Sequence, residues 1–311
     1  MLSLIIPVYK NEDSLPELIE AVNSLHKSLQ GGLEAIFVVD GSPDRSYELL
    51  REYLPDVDFS SQLILLSRNF GSFAALRSGL ELASGEIFAV MAADLQEPPE
   101  LILQMHDLLR HDTADVVLAV REKRSDPLLS RIASNIFWWF YRRYVIPDMP
   151  AGGVDVFACN ENFRGTLLKM EERHSSLIAQ IFWLGFRRKQ VSYIRSARRH
   201  GKSAWTFSKK VGYLTDSVFS FTDLPIKLLI RVGAIGAFLA AVFGCVVAIA
   251  RISGSVPVAG YAMTIIMIVF FGALNLLGLG VVGSYAWRAY ENSKQRPLSV
   301  RLKVQNFCPK K

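Results

Sequence analysis

The chain has 311 residues, a formal net charge of +6 and a positive mean hydropathy of +0.24, which is unusual for a soluble enzyme. Because the three cysteines are odd in number and far apart, neither a disulfide framework nor a cysteine metal site is indicated, and a reducing compartment is expected. The moderate basic excess suits anionic partners such as phosphates and lipid headgroups.

Short apolar runs alternate with amphipathic stretches over the first part of the chain. Strands are predicted at 3–8, 34–39, 62–66, 86–91 and 115–120. Helices are predicted at about 13–29, 45–53 and 71–83, and another begins at 98. This alternation predicts an α/β fold with a mostly parallel sheet that helices cover on both faces.

Polar side chains follow these strands directly, at the point where each strand ends. They are Tyr9, Asp40, Arg68, Asn69, Asp94, Gln96 and Arg121. Parallel sheets bind their ligands beyond the carboxyl ends of the strands. A polar residue after one strand is ordinary, whereas polar residues after all five strands favour a binding site at this edge of the sheet.

Two of these carboxylates have alternative interpretations. Asp94 and Gln96 offer the oxygen ligands that Mg²⁺ or Mn²⁺ prefers, and such a cation would neutralise a diphosphate leaving group. Asp94 is equally well placed to cap the helix that begins near Pro98. Asp40 lies in the sequence VVDGSPD, where it either shapes a turn or accepts hydrogen bonds from a nucleobase or ribose.

Residues 187–210 hold nine Lys and Arg residues and no acidic residue. Such a run is typical of a solvated face, of attraction to a lipid surface, or of a phosphate clamp around Arg198, Arg199 and Lys202. Its interleaved aromatic residues suit nucleic acid, but its closeness to an apolar span excludes that partner. Residues 128–144 combine an aromatic face with a basic face, which favours a helix in the bilayer interface over a core helix.

Two long uncharged runs, 232–250 and 261–287, are each long enough to cross a bilayer. We expect Asn275 to face the partner helix, where the glycines of the second span allow close packing (Gly272, Gly278, Gly280 and Gly283). Lys and Arg residues are abundant before the first span and after the second, and the connecting loop holds only Arg251. Both termini are therefore expected in the cytosol.

Several stretches, in order along nearly the whole chain, resemble the polyprenyl-phosphate glycosyltransferases of glycosyltransferase family two. These relatives of dolichol-phosphate mannose synthase include a bacterial branch with two C-terminal transmembrane helices, to which the chain is most similar. The stretches that carry the resemblance are IPVYKNEDSLPEL, VVDGSPDRS, SRNFGSFAALRSGLELASGE, ADLQEPPEL, ERHSSLIAQIFWLGF, RRHGKSAWTF, FSFTDLP and GSYAWRAYENSKQRP.

The resemblance implies a GT-A type, Rossmann-like domain that transfers a sugar with inversion from a nucleotide sugar, UDP-linked by analogy, to undecaprenyl phosphate for the cell envelope. It implies a cofactor, Mg²⁺ or Mn²⁺, held by Asp94 and Gln96. The donor would be bound by Pro7, Tyr9, Glu12, Asp40, Asn69, Asp94, Arg199 and Ser203. The acceptor phosphate would be bound by Arg121, Arg131 and Ser134. The catalytic group would be Asp94, Arg121, Arg131 and Asp155.

The chain departs from the family pattern at several positions. Ala92 stands where the family usually has a second Asp, and Val39 replaces the first Asp of Asp-Asp-Gly-Ser. Ala204 stands where a Lys often follows Ser203, and Asp155 would take an acidic role in an altered segment. Two rival functions remain. One is a processive polysaccharide synthase, but this chain lacks the Gln-x-x-Arg-Trp motif of that class. The other is a catalytically impaired lipid-binding scaffold, which Ala92 favours.

The expected layout is a cytosolic GT-A domain at 1–206, with an interfacial amphipathic helix at about 127–144. A juxtamembrane amphipathic segment follows at 207–230. Two transmembrane helices, at about 231–251 and 261–288, occupy 231–290, and a cytosolic basic tail ends the chain at 291–311. We expect a multi-pass protein of the bacterial inner membrane that forms homo-oligomers, with the lipid bilayer as partner and no nucleic acid.

Overall fold

The computed structural model describes residues 1–122, 138–150, 153–196, 207–253 and 261–309. The chain divides into two compact units, Met1–Tyr213 with Arg296–Lys311, and Leu214–Gln295. The strands of the described residues all belong to the first unit: β1 (Leu2–Val8), β2 (Leu33–Val39), β3 (Ser60–Leu66), β4 (Ile87–Val90), β5 (Val116–Arg121), β6 (Val154–Asn160), β7 (Arg188–Tyr193) and β8 (Arg301–Phe307).

The helices of the first unit alternate with these strands. They are α1 (Leu15–Ser28), α2 (Ser46–Tyr53), α3 (Ser72–Leu82), α4 (Glu100–Arg110), a helical segment at 138–144, α5 (Glu161–Leu167) and α6 (Leu177–Trp183). Short 3₁₀ turns lie at Glu12–Ser14 and Leu54–Asp56. The five predicted strands agree with β1 to β5 to within two residues, because apolar runs between turn residues mark buried strands clearly.

The strands form one sheet in the order β7-β5-β6-β4-β1-β2-β3-β8. Strands β1 to β4 are parallel where they pair, and so are β5 and β7, whereas β6 and β8 run antiparallel to their neighbours. The predicted mostly parallel sheet is therefore confirmed. The chain order reverses at β1, which lies between β4 and β2, and ligands of such sheets bind beyond the strand ends at this reversal.

The core of the sheet lies at β1 and β2, whose side chains are almost entirely buried. Helix α3 packs closely on these two strands through Gly79. A Cβ atom at Gly79 would lie 2.6 Å from Ile5 Cγ2 and 3.1 Å from Val38 Cγ2. This position therefore requires glycine for the helix to approach the sheet, and the approach holds the first residues of α3 beside the carboxyl ends of the strands.

The C-terminal tail adds a strand that the sequence analysis did not predict. Residues Arg301–Phe307 form β8, which pairs antiparallel with β3 at the edge of the sheet. Every side chain of β8 is exposed or half-buried, and basic residues alternate with Leu302 and Val304. The alternation covers only four residues and none of the side chains of β8 is fully buried, so the pairing with β3 is what identifies the strand.

The second unit contains two long apolar helices, α8 (Leu224–Ile252) and α9 (Tyr261–Ser293), after the end of α7 (Phe207–Phe221). The segments Leu224–Val246 and Met267–Ser293 are long and apolar enough to cross a membrane, and neither is buried within the protein. Both predicted spans are thus present as helices. The predicted juxtamembrane segment, 207–230, comprises a separate helix, α7, and the first seven residues of α8.

The prediction that the glycines of the second span pack closely against the first span is wrong. Among the described residues, a Cβ atom at Gly272, Gly278, Gly280 or Gly283 would meet nothing within 4 Å, and Asn275 is exposed. The close glycine contact involves Gly236 instead, where a Cβ would lie 3.6 Å from Phe271. Within this unit, Arg288 also donates a hydrogen bond of 2.8 Å to Asp216 on α7.

Candidate active site

The loops that follow β1 and β2 are joined by hydrogen bonds between backbone amides and side chains. Lys10 N donates to Ser42 Oγ at 2.8 Å, and Glu12 N donates to Asp44 Oδ2 at 3.2 Å. In return, Arg45 N donates to the Glu12 carboxylate at 2.9 Å. The Glu12 side chain therefore shapes this edge of the sheet directly, beside the half-buried Pro7 and Tyr9 at the end of β1.

Asp40 joins the end of β2 to the start of α3. Its two carboxylate oxygens accept hydrogen bonds from the backbone amides of Phe70, at 2.7 Å, and Gly71, at 2.8 Å. A carboxylate at the N-terminus of a helix is also favoured by the helix dipole. These bonds give Asp40 a structural role that links the end of β2 to the start of α3. Its role in its own turn, and contact of Asp40 or the exposed Asn69 with a nucleoside, stay predictions.

Asp94 lies in a tight loop between β4 and α4. Leu95 adopts the left-handed backbone region, with φ of 51°, and Gln96 N donates to Asp94 Oδ1 at 3.4 Å. The interpretation of Asp94 as a helix cap is wrong, because α4 begins at Glu100 and its N-cap position is Pro99. The half-buried Asp94 carboxylate is instead turned back on its own loop beyond the end of β4.

Gln96 is bound by the segment that follows β7. Its Oε1 accepts a hydrogen bond from Arg195 Nη2 at 2.5 Å, and its Nε2 donates to Ser196 O at 3.2 Å. The backbone amide of Ser196 also donates to the carbonyl of Gln96 at 2.9 Å. Three hydrogen bonds thus fix the position of Gln96 relative to a segment 99 residues further along the chain.

Glu97 is a site residue that the sequence analysis missed. It is only 2% exposed, and its Oε1 lies 3.9 Å from Arg195 Nε and 3.5 Å from the hydroxyl oxygen of Tyr193. Among the described residues, its Oε2 has no hydrogen-bond partner. Burial raises the pKa of Glu97 to about 7, although the positive charge of Arg195 opposes the shift. The sequence feature that could have identified Glu97 as a site residue is its position directly after Gln96 and before two prolines.

Arg121 and Asp155 form an ion pair with two hydrogen bonds, from Arg121 Nε and Nη2 to the two carboxylate oxygens. Tyr193 donates a further hydrogen bond to Asp155 at 2.5 Å. Burial by itself would raise the pKa of Asp155, but Arg121 and Tyr193 lower it below its usual range, so the group is ionised at neutral pH. Burial also raises the pKa of the Tyr193 phenol, which therefore keeps its proton.

The start of β6, which carries Asp155, is held in place by an aromatic cluster. Gly153 has a φ of +74°, and a Cβ at this position would lie 2.5 Å from the Trp138 ring. The Trp138 ring packs edge-on against buried Tyr141 at 5.6 Å, and Tyr141 stacks on Tyr213 at 6.0 Å. Only glycine allows this close contact between the 138–144 helix and the strand.

The structure brings Asp94, Gln96, Arg121 and Asp155 to the same edge of the sheet, joined through Glu97, Tyr193 and Arg195. This happens because β6 is antiparallel, so its first residues lie beside the last residues of β4 and β5. Four other predicted site residues lie outside the described residues: Arg131, Ser134, Arg199 and Ser203.

A divalent cation fits this edge through Asp94. The described residues contain no group of three or more His, Cys, Asp or Glu side chains that could hold a metal by themselves. Mg²⁺ sites commonly use one or two protein carboxylates together with substrate phosphates, and the Asp94 carboxylate matches that pattern. The oxygen of Gln96 already accepts a hydrogen bond from Arg195, and its role as a second ligand stays a prediction.

The sequence of the first unit matches a known family profile. Residues 3–166 match Glycosyl transferase family 2. The chain belongs to this family. The predicted family and its α/β, GT-A type fold are therefore confirmed.

Curated relatives extend the similarity over both units of this glycosyltransferase. An uncharacterised glycosyltransferase of Synechocystis sp. is 31% identical over 96% of this chain and 93% of its own length. The undecaprenyl-phosphate 4-deoxy-4-formamido-L-arabinose transferase of Salmonella choleraesuis is 31% identical over 95% of this chain and 90% of its own length. The similarity therefore includes the two apolar helices.

Solved glycosyltransferase structures are more distant. A mannosyltransferase of Pyrobaculum calidifontis, in complex with GDP-Man and Mn²⁺, is 15% identical with a TM-score of 0.46, covering 92% of this chain and 87% of that chain. Glucosyl-3-phosphoglycerate synthase of Mycobacterium tuberculosis, in complex with Mn²⁺, UDP and glucosyl-3-phosphoglycerate, is 18% identical with a TM-score of 0.47, covering 69% and 76%.

Proposed function

We propose that this glycosyltransferase moves a sugar from a nucleotide sugar, UDP-linked, to undecaprenyl phosphate on the cytosolic leaflet of the bacterial inner membrane. One observation carries the proposal. The similarity to the undecaprenyl-phosphate sugar transferase covers 95% of the chain, so it includes the apolar helices as well as the sheet. A lipid-linked acceptor explains why the transferase unit and two candidate membrane spans belong to one chain.

The donor would lie across the carboxyl ends of β1, β2 and β4. Its nucleoside would contact Pro7, near the end of β1, and Tyr9, Glu12, Asp40 and Asn69, which follow β1, β2 and β3. Its diphosphate would face the loop that carries Asp94, with Arg199 and Ser203 beside it. The hydrogen bonds between these loops support the proposal, since a binding edge that is already ordered loses less entropy on binding.

A divalent cation, Mg²⁺ or Mn²⁺, would be held by Asp94 together with the donor phosphates. When bound there, it would stabilise the negative charge of the departing diphosphate. The residues of this chain would do the remaining work by positioning the two substrates. A partner carboxylate at position 92 is absent because that residue is Ala, so Asp94 would carry the protein's share of the cation site.

The acceptor would need no strong general base. The second pKa of a phosphate monoester is about 6, so the lipid phosphate is largely dianionic at neutral pH. The Asp155 carboxylate is occupied by Arg121 and Tyr193, which suits a role in holding Arg121 rather than in removing a proton. Arg121, with Arg131 and Ser134, would place the phosphate oxygen in line with the anomeric carbon, so that transfer occurs with inversion.

The orientation follows from charge. Lys and Arg residues flank the two spans on the side of both termini, which supports a cytosolic location for that side. The nucleotide sugar would then come from the cytosol and the lipid phosphate from the inner leaflet. Assembly into homo-oligomers remains a separate proposal, which the exposed glycines of α9 favour.

The decisive test uses the full chain in nanodiscs that contain undecaprenyl phosphate. The protein is incubated with Mg²⁺ or Mn²⁺ and one of several labelled UDP or GDP sugars, and lipid is extracted. One donor is expected to give labelled lipid, and EDTA is expected to abolish it. Absence of labelled lipid with every donor would favour the scaffold alternative, and a labelled product that grows to a polymer would favour the processive synthase.

A further inference from the structure

Arg195 is the basic residue of the candidate active site that has no closely bonded carboxylate among the described residues. Arg121 is paired through two hydrogen bonds with Asp155. Arg195 instead lies 3.9 Å from Glu97, too far for a hydrogen bond, and its buried Nε has no hydrogen-bond partner among the described residues. Its short hydrogen bond goes to the neutral amide of Gln96 at 2.5 Å.

This arrangement conflicts with a role of Gln96 as a cation ligand. A divalent cation and a guanidinium both bind the oxygen of an amide, and Gln96 Oε1 already accepts a hydrogen bond from Arg195 Nη2. The Nε2 side of the same amide donates to Ser196 O, which fixes the orientation of the amide and turns its oxygen to Arg195. Two like charges sharing one oxygen would repel each other.

We propose that Arg195 binds the diphosphate of the donor directly, and that Gln96 positions Arg195 instead of binding the cation. The Arg195 side chain is 27% exposed, so part of it reaches the surface beside Gln96, two residues after Asp94. A guanidinium is planar and suited to two hydrogen bonds with phosphate oxygens. It would supply positive charge beside the diphosphate in a chain that has Ala92 in place of a second carboxylate.

The inference rests on the proposed function, because it assumes a nucleotide-sugar donor. It differs from that proposal in what it predicts for the binding of nucleotide and of divalent cation. Since Arg195 belongs to the protein, nucleoside diphosphate should still bind, more weakly, when divalent cations are removed. Cation binding should depend on Asp94 and on the nucleotide, but not on Gln96.

The first experiment measures nucleotide affinity by calorimetry with the full chain in nanodiscs. UDP, GDP, CDP, ADP and dTDP are compared with their monophosphates, with Mn²⁺ and with EDTA. Arg195→Gln is expected to lower diphosphate affinity in EDTA about tenfold or more, which corresponds to loss of a charge-assisted hydrogen bond. Monophosphate affinity is expected to fall much less. Arg195→Lys, which keeps the charge, is expected to retain part of the preference for diphosphate.

The control variant is Lys189→Gln, which removes one exposed positive charge from β7, the strand that precedes Arg195, and is expected to bind like wild type. Equal losses of diphosphate and monophosphate affinity in Arg195→Gln, or no loss, would overturn the inference while the proposed function stands. A wild type that binds none of the five diphosphates would overturn both.

The second experiment does not depend on the stability of the Arg195 variants. Electron paramagnetic resonance measures Mn²⁺ bound in the presence of the preferred diphosphate. Gln96→Ala is expected to retain Mn²⁺ binding within about threefold and to lose part of the diphosphate preference, whereas Asp94→Ala is expected to lose Mn²⁺. Equal loss of Mn²⁺ from both variants would make Gln96 a cation ligand and refute its positioning role.

Discussion

Arg121 at the end of β5 and Asp155 at the start of β6 are 34 residues apart in the chain and form a two-fold hydrogen-bonded ion pair. Their side chains are 22% and 17% exposed, so each charge is largely removed from water. Removal of one partner leaves the other charge without compensation, which costs far more than the pair contributes to stability.

Asp155→Ala is therefore expected to lower the free energy of unfolding by about 3 kcal/mol, measured by denaturant titration of the full chain in detergent. Asp148→Asn is the matched control, because Asp148 also pairs with an arginine, Arg188, but is 70% exposed. An exposed pair contributes less than about 1 kcal/mol. Equal losses in the two variants would contradict the role of burial at Asp155.

Asp94→Asn tests the carboxylate of the predicted cation site. The substitution keeps the shape of the side chain and removes its charge, so folding is expected to be unchanged. Sugar transfer to lipid is expected to fall about 100-fold or more, as when one electrostatic stabiliser of a leaving group is lost. The control is Glu100→Gln, an exposed acidic residue at the start of α4. Transfer at the wild-type rate by Asp94→Asn would remove Asp94 from the mechanism.

Asp115 makes the stability of the protein depend on pH in the acidic range. A hydrogen bond from Arg187 holds the pKa of Asp115 at about 2, below its ordinary 3.8. Because the pKa is lower in the folded state, this contribution to stability is present above about pH 4 and is lost as the pH falls towards 2.

Asp115→Asn is expected to be less stable than wild type at pH 6, and the difference is expected to narrow between pH 4 and pH 2. Thermal unfolding across this range measures it. Asp58→Asn, at an exposed position, should match wild type at pH 6. A constant difference between Asp115→Asn and wild type would show that Arg187 does not stabilise the ionised carboxylate.

Gly79 and Gly165 form a matched pair of helix glycines with opposite expectations. An added Cβ at Gly79 would lie 2.6 Å from Ile5, whereas one at Gly165 in α5 would meet nothing within 4 Å. Gly79→Ala is expected to destabilise the protein by about 1–3 kcal/mol through overpacking. Gly165→Ala is expected to stabilise it by about 0.5–1 kcal/mol, since alanine is the better helix residue. A stable Gly79→Ala variant would refute the close packing of α3.

The first five strands were predictable because each is a short apolar run between turn residues, and the two spans because they lack charge over their full length. The positions of Asp40, Asp94 and Arg121 were predictable for a related reason, since polar residues that end buried strands must lie at one edge of a parallel sheet. Strand β7 was not predicted because its first five residues, RKQVS, are exposed or half-buried and do not alternate between apolar and polar.

Periodicity and local motifs in the sequence specify the class of sheet, the two apolar helices, the family and the edge at which the site lies. The long-range pairs became visible in the folded chain: Asp155 with Arg121, Gln96 with Arg195, Glu97 with Tyr193, and β8 with β3. Each of these contacts joins residues far apart in the chain. Their existence depends on the antiparallel insertion of β6 and on the course of the chain after β7, which no local pattern specifies.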